Sequence, residues 1–435
     1  MSTQQVILPG DRRNMAIENK SDQARKVNED ANIRRGAKGL PLLPGGFGRS
    51  TYYTGAPTPY AVRGEGFKVW DDRGRELIDA NNNFTTLIHG NAHPQLVEAA
   101  TRAIKSGSCW GIPNTHEWDH AELLLARLPG LDQVRYSNSG TEAVMTAVRV
   151  SRGATGRDGV IMMKNGYHGS SDLALSTGGP QYRRGIPEGV TKDVTLIDLN
   201  DLAALEEAVS SKPNYYAAII IDVLPNRAGL IPAEQQFVRG ARDLATRYGI
   251  ALIIDEVISF RLGYNGACAE YGVVPDLLTT GKLIGGGFPV GAFAGREELM
   301  RHLDPLGPNP LPQAGTFSGN PVSMAAGAES LRLLTPEVIS TMNNLGNNAR
   351  LSIAECVASV GWEVRGKGSL LRPFPKAAGA YTTEMQHKLW WAAYERGVLL
   401  SPANLVALSS PMTTQVVADM AERLTDAIIA VASVD

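Results

Sequence analysis

The sequence predicts an α/β fold, a mostly parallel sheet flanked by helices, with a smaller α+β domain formed by the N- and C-terminal segments. Two features carry that expectation. Apolar runs rich in β-branched residues recur at 160–163, 194–197, 217–223 and 251–254, and they are continuous rather than alternating, as in strands buried on both faces. Helical patterns separate them, Gln235–Tyr248 among them, and strands alternating with helices form parallel sheets covered on both sides. At 435 residues the chain has room for two to three domains of roughly 150 residues each. The expected divisions are an N-terminal segment with part of a small domain at 1–75, a large domain at 76–320 and a C-terminal small domain at 321–435.

Taken in order, the elements read as follows. A helix is expected over about 21–35, closed by Gly36. The stretch 40–51 holds two prolines and three glycines and reads as an irregular loop. Residues 61–79 read as short strands around a turn at Asp72-Arg73-Gly74. Pro94 occupies the first turn of a helix in which Leu96, Val97, Ala100, Ala103 and Ile104 recur at helical spacing, with Gly107 as its stop. A second helix starts near Asn114 and ends before Pro129-Gly130. A third starts at Gly140 and presents Val144, Ala147 and Val148 on one face. Past Asn320 the chain is mostly helical, with short β-like pieces at 398–400 and 405–409.

Composition excludes several classes of function. Lys and Arg number 42 against 44 Asp and Glu, so no net field favours nucleic acid or an anionic membrane. The three scattered cysteines, Cys109, Cys268 and Cys356, form neither a disulfide framework nor a CxxC metal clip. No apolar run is long enough to span a bilayer, and the charged N-terminus lacks the apolar core of a signal peptide. The expectation is a cytoplasmic protein working on small molecules, with no nucleic-acid or membrane partner and no metal.

In an open parallel sheet, ligands collect at the carboxyl ends of the strands. Three segments there carry chemistry. Ala251–Glu256 ends a buried run with two carboxylates, which alone is as well explained by a strand-end cap or an ion pair. Leu277–Lys282 ends another with a lysine, followed by Gly285-Gly286-Gly287, where backbone can approach a ligand closely. Ser137–Glu142 places hydroxyls and free N–H groups at a helix N-terminus, either an anion site or an ordinary N-cap. Together, an anion cradle, a carboxylate and a lysine match a phosphorylated pyridine aldehyde. Its phosphate needs the cradle, its ring nitrogen a carboxylate and its aldehyde a lysine for a Schiff base.

Five motifs in order, Ser137–Ala143, Gly166-Tyr167-His168-Gly169, Asp255-Glu256-Val257 with Phe260-Arg261, Thr280-Gly281-Lys282, and Gly315–Pro321, resemble those of class III pyridoxal-phosphate aminotransferases. These belong to the fold-type I superfamily, and the resemblance spans roughly residues 40–410. It points to the branch of glutamate-1-semialdehyde aminomutase and β-amino-acid aminotransferases, which Pro44-Gly45-Gly46 and the Gly64–Gly74 segment also suit. The resemblance implies the cofactor pyridoxal 5′-phosphate, an amino donor and a 2-oxo acid acceptor, and a homodimer with composite sites. It further implies that Lys282 forms the Schiff base and shuttles the proton between Cα and C4′. Asp255 would pair with the ring nitrogen, and Ser139, Gly140 and Thr141 would bind the phosphate. Tyr167 would stack on one ring face and Val257 on the other, with His168 a lesser candidate for stacking. Thr316 would reach the phosphate of the partner subunit's cofactor.

The chain departs from the family pattern in two places. Asp222-Val223 stands where Glu-Pro is usual. Ser401–Leu408 carries neither the aminomutase's carboxylate nor the arginine of some β-amino-acid aminotransferases, whose place falls to Ala403 or Asn404. Arg49, in the Gly-Pro-rich loop, is then the candidate for the substrate carboxylate, with Arg227 and Arg372 as alternatives and Tyr52, Tyr53 and Phe84 as candidate pocket walls. The expected reaction is transamination between a β-amino acid or related amine and a 2-oxo acid. The alternatives are a 2,1-aminomutase or racemase of the same fold and, from another class, a zinc hydrolase built on His116-Glu117-Trp118-Asp119-His120. That HExxH segment also reads as a helix start capped by Asn114 and Glu117. His89 and His93 flank Gly90 and read as structural or as lying near the site entrance.

Overall fold

The computed structural model describes residues 34–56 and 58–433. The helix expected over 21–35 lies outside them, apart from Arg34 and Arg35, and Arg35 forms an isolated bridge with Pro41. The chain forms two compact units. One comprises residues up to Phe84 together with Gly346–Val364 and Leu370–Asp435, and the other comprises Thr85–Leu345 with Arg365–Ser369.

The second unit holds a seven-stranded sheet. Its strands are β1 (Gln133–Ser137), β2 (Gly159–Met163), β3 (Val194–Ile197), β4 (Tyr216–Ile221), β5 (Ala251–Asp255), β6 (Leu277–Gly281) and β7 (Gly291–Gly295), in the order β1-β7-β6-β5-β4-β2-β3. All neighbours are parallel except those of β7, which runs antiparallel to both β1 and β6. The continuous apolar runs follow from burial on both faces. Val160, Met162, Ala218, Ile220, Ile253, Leu277 and Phe293 point to one side, where the helix α3 (Gly140–Thr155) lays Val144, Ala147 and Val148 on them. Ile161, Met163, Ile219, Ile221 and Ile254 fill the other face and are equally buried. Each of the Val, Leu, Ile, Met and Phe side chains among them contributes about 1.5–3 kcal/mol on burial.

The helices preceding α3 are α1 (Pro94–Ser106) and α2 (Thr115–Leu125). They are followed by α4 (Leu202–Ser211), α5 (Gln235–Tyr248) and α6 (Pro321–Leu333). Start and stop signals act as the residues dictate. Pro94 sits in the first turn of α1, Gly107 closes it at φ 136°, and Ser139 caps α3 by accepting the Glu142 N–H. The sequence divided the domains at 320/321, whereas α6 belongs to the larger unit, because Val322 and Ala326 pack on Ala100 and Ala103 of α1. The first unit likewise extends past residue 75 to Phe84, since Glu76–Asp79 is a strand of its sheet.

That unit contains a four-stranded sheet of Ala61–Glu65, Lys68–Asp71, Glu76–Asp79 and Val398–Leu399, the last pair parallel. A three-stranded sheet runs in the order Trp362–Lys367, Leu370–Pro375, Val406–Ala407. Among the described residues no helix is long and apolar enough to cross a membrane.

Candidate active site

Strands β2, β4, β5 and β6 are parallel, so the residues that follow them emerge along one edge of the sheet. The His168 loop follows β2, Asp222 follows β4, Asp255 ends β5 and Lys282 follows β6. Ser137, at the end of β1, lies level with Gly281 through Gly291 of β7, which brings the start of α3 to the same edge.

The two adjacent carboxylates of β5 divide their work. Glu256 turns away and is fully buried, its oxygens accepting the N–H groups of Ala267 and Cys268 at 2.7 Å each. For Glu256 the strand-end cap is the correct reading. Asp255 is also buried but faces the cluster. Its Oδ1 accepts from Thr279 Oγ1 at 3.0 Å and from the Val257 amide at 3.1 Å, and its Oδ2 accepts from His168 Nδ1 at 2.7 Å. His168, the lesser candidate for ring stacking, is buried and is the neighbour of Asp255. The Gly-Tyr-His-Gly motif was a signal for this loop, though not for the bond between His168 and Asp255. Thr279 had none, being one hydroxyl in a buried strand.

Asp222 is buried and accepts the Leu224 N–H at 2.9 Å. Burial first, and then repulsion from Asp255, push its pKa up to about 7, against the opposing pull of His168 and Lys282. Lys282 is half-buried, and its amine lies within reach of Asp255 and Asp222. Burial pulls it down to about 8, more than Asp255 and Asp222 raise it. Its backbone is left-handed, φ 50°.

The cradle is built from close approaches. A Cβ at Gly140 would lie 2.8 Å from Val257 Cγ2, so glycine lets the start of α3 meet the β5 loop. Gly169 has φ 102°, and a Cβ there would meet Thr141, whose Oγ1 accepts the Ser170 N–H at 3.2 Å. Ser139, Gly140, Thr141 and Val257 are all half-buried, and Tyr167 is 44% exposed. The helix N-terminus, the oriented carboxylate and the depressed amine therefore fit a phosphorylated pyridine aldehyde. Thr316 lies exposed in the turn before α6.

Arg49 belongs to the first unit. It is exposed, with its guanidinium 4.2 Å from the Tyr52 ring centre and 5.5 Å from that of Phe84, and Nη2 donates to Asn83 Oδ1 at 3.3 Å. Asn82, Asn83 and Phe84 all have left-handed backbones, φ 49°, 47° and 56°, a local strain of the kind that clusters at functional sites. Tyr53 packs edge-on against Phe47 and His387 instead. Arg372 stacks on Phe374 and Tyr381 in the same unit. Arg227 is committed to the Tyr167 loop. It donates to the carbonyls of Asn165 and Gly166 and to Thr177 Oγ1, and sits over the rings of Tyr182 and Tyr167.

In the HExxH segment one histidine is already committed to the core. Both ring nitrogens of His120 are engaged, with Tyr136 Oη at 2.8 Å and the Ile284 carbonyl at 2.7 Å, and Glu117 accepts the Asn114 N–H at the start of α2. Among the described residues no group of three or more His, Cys, Asp or Glu is placed to hold an ion. His89 is buried and donates to the Ser330 carbonyl, so its role is structural.

Residues 53–431 match the family described as aminotransferase class-III. A glutamate-1-semialdehyde 2,1-aminomutase 1 of Staphylococcus aureus is 38% identical over 339 residues, covering 75% of this chain and 76% of its own. Among solved structures, an omega-transaminase from Sphaerobacter thermophilus superposes with a TM-score of 0.86 at 37% identity, covering 90% of this chain and 95% of its own. A β-phenylalanine aminotransferase from Variovorax paradoxus does so with 0.83 at 28%, covering 95% and 94%. The strand-edge cluster and these likenesses agree, and the chain belongs to the class III aminotransferases, enzymes that depend on pyridoxal phosphate.

Proposed function

We propose that this aminotransferase moves an amino group between a β-amino acid, or a related amine, and a 2-oxo acid. The observation that carries the reading is the convergence of three groups at one strand edge: a helix N-terminus, the carboxylate of Asp255, and an amine at Lys282 whose pKa burial has lowered to about 8. When bound, pyridoxal phosphate supplies an aldehyde that takes up the amino group and a ring that draws electrons from the carbon bearing it.

The protein's own residues do the rest. Ser139, Gly140 and Thr141 hold the phosphate at the positive end of α3. Asp255, fixed by His168, Thr279 and the Val257 amide, keeps the proton on the ring nitrogen. Val257 and Tyr167 would face the two sides of the ring. Lys282 would hold the aldehyde end of the cofactor and would move the proton between the substrate carbon and C4′; an amine with a pKa of about 8 is neutral often enough near pH 7 to do so. Arg49, backed by Tyr52 and Phe84, takes the substrate carboxylate. The enzyme works as a homodimer in which Thr316 reaches the phosphate held by the partner subunit.

The β-amino acid is supported by the aromatic setting of Arg49 and by the named activity of the Variovorax neighbour. The name of the Staphylococcus relative supports a second reading, 2,1-isomerisation. Against it, Ser401–Leu408 brings no carboxylate. A panel of α-, β- and ω-amino donors, each incubated with pyruvate or 2-oxoglutarate and followed by NMR, separates the two. Transfer from β-amino acids that requires the acceptor is the expected result. Rearrangement of a 1-amino or 2-amino substrate without any acceptor would replace transamination by isomerisation.

A further inference from the structure

Lys282 opens a single tight turn, Lys282–Gly285, with φ 50° at the lysine and φ 59° at the following Gly286. A non-glycine residue keeps a left-handed backbone only where its surroundings hold it there. The surroundings here are specific. The Leu283 carbonyl accepts from Ser330 Oγ of α6 at 2.9 Å, and the Ile284 carbonyl accepts from His120 Nε2 of α2 at 2.7 Å. Because a carbonyl only accepts, Nε2 carries the hydrogen. Burial pulls the His120 pKa down to about 4, so the ring is neutral, its Nδ1 is bare, and Tyr136 O–H is the donor to it at 2.8 Å. His120 and Ser330 are almost completely buried, and Tyr136 nearly so. Two glycines let the turn lie flat on α6. A Cβ at Gly327 would overlap the Ile284 carbonyl, and one at Gly286 would overlap the Ala326 carbonyl.

We propose that Tyr136, His120 and Ser330 are positioning residues that clamp the Lys282 turn through its two carbonyls and hold the lysine in its reactive left-handed geometry. The proposal rests on the reading of Lys282 as the cofactor-bearing lysine. It gives the HExxH histidine a function unrelated to metal. The Ile284 carbonyl sets the tautomer of His120, Tyr136 anchors its bare Nδ1, and the strain at Lys282 persists because the turn cannot relax.

The experiment uses the full chain stripped of cofactor and then given pyridoxal phosphate at pH 9, where Lys282 is mostly neutral in every variant. The rate of covalent capture is read from visible absorption and from borohydride-fixed label on the Lys282 peptide. Pyridoxamine phosphate, which has no aldehyde and makes no bond to lysine, is the control ligand. The expected result is that His120→Phe captures pyridoxal phosphate about tenfold more slowly, the effect of losing one buried hydrogen bond. His120→Gln, whose amide keeps a donor near the Nε2 position, recovers most of the rate, and all variants bind pyridoxamine phosphate alike. Tyr136→Phe and Ser330→Ala slow capture in the same direction and serve if His120→Phe does not give a cooperative melt. Native capture rates in the folded variants would overturn the clamp, as would an equal loss of pyridoxamine phosphate affinity, which marks general damage. If the unsubstituted protein places the label on another lysine, the assignment of Lys282 fails instead.

Discussion

Lys282 sits in an environment unlike that of an ordinary lysine. Its pKa of about 8 lies below the ordinary 10.5 because burial outweighs the attraction of Asp255 and Asp222. The neutral amine is the nucleophile, so in the cofactor-free protein the rate of pyridoxal phosphate capture should climb as pH rises through about 8 and level off above it. A solvated lysine would keep climbing past pH 10. The same shift has a defined sign in stability. The buried ammonium opposes folding in full below about pH 8, and that penalty fades as pH rises towards 10.5. Arg49 is the second residue with a direct test. A charge-assisted pair with a substrate carboxylate is worth about 1.5–3 kcal/mol, roughly ten- to a hundredfold. Arg49→Ala should raise KM by that factor for amino acids and 2-oxo acids alike and spare simple amines. Arg49→Lys should recover only part, lacking the planar fork. Steady-state kinetics across carboxylated and uncarboxylated donors checks it, and an equal loss for both classes would point to a loop defect. At this scale the sequence showed which residue types converge but not which partners orient them. His168 and Thr279 bond to Asp255 across strands that are far apart in the chain, and no local pattern announces a contact of that kind.

The elements carry the cradle as much as the side chains do. Gly291 of β7 faces the Ser139 carbonyl so closely that a Cβ would overlap it. Gly291→Ala should therefore push the start of α3 out of place, lowering the melting temperature of the cofactor-loaded enzyme and its affinity for pyridoxal phosphate together. Thermal melts with and without the cofactor, read against a titration, check this, and an unchanged affinity would mean that the loop accommodates the methyl group. This strand was also the least legible. Gly-Ala-Phe-Ala-Gly has weak β propensity, and its place between β1 and β6 comes from register and burial rather than from its own residues. Trp362–Lys367 and Leu370–Pro375 carry little strand signal for a related reason, since charged residues and proline break the apolar run. In contrast, β2, β4 and β5 were plain, because strands buried on both faces must be continuously apolar. The α2 start shows a motif read two ways. Its spacing fits a metal pair, but Asn114, Glu117 and the buried His120 make it a cap and a core contact.

At the scale of the whole molecule, the larger unit was legible as an α/β domain, while its limits were not. They depend on which surface α6 covers, and that is a tertiary fact. Thr316 extends the account to a second copy of the chain. If it completes the partner's phosphate site, a cofactor-loaded homodimer should be the active species in sedimentation. Mixing Lys282→Ala subunits with an inactive Thr316 variant should then restore activity through the one intact hybrid site, whereas a fully active monomer would contradict the composite site. The central claim is simpler, that Lys282 holds pyridoxal phosphate at the edge of this sheet. Borohydride reduction of the loaded enzyme followed by peptide mapping tests it directly. One pyridoxyl phosphate label per chain on the Lys282 peptide is the predicted result, and a label on any other lysine would contradict the account.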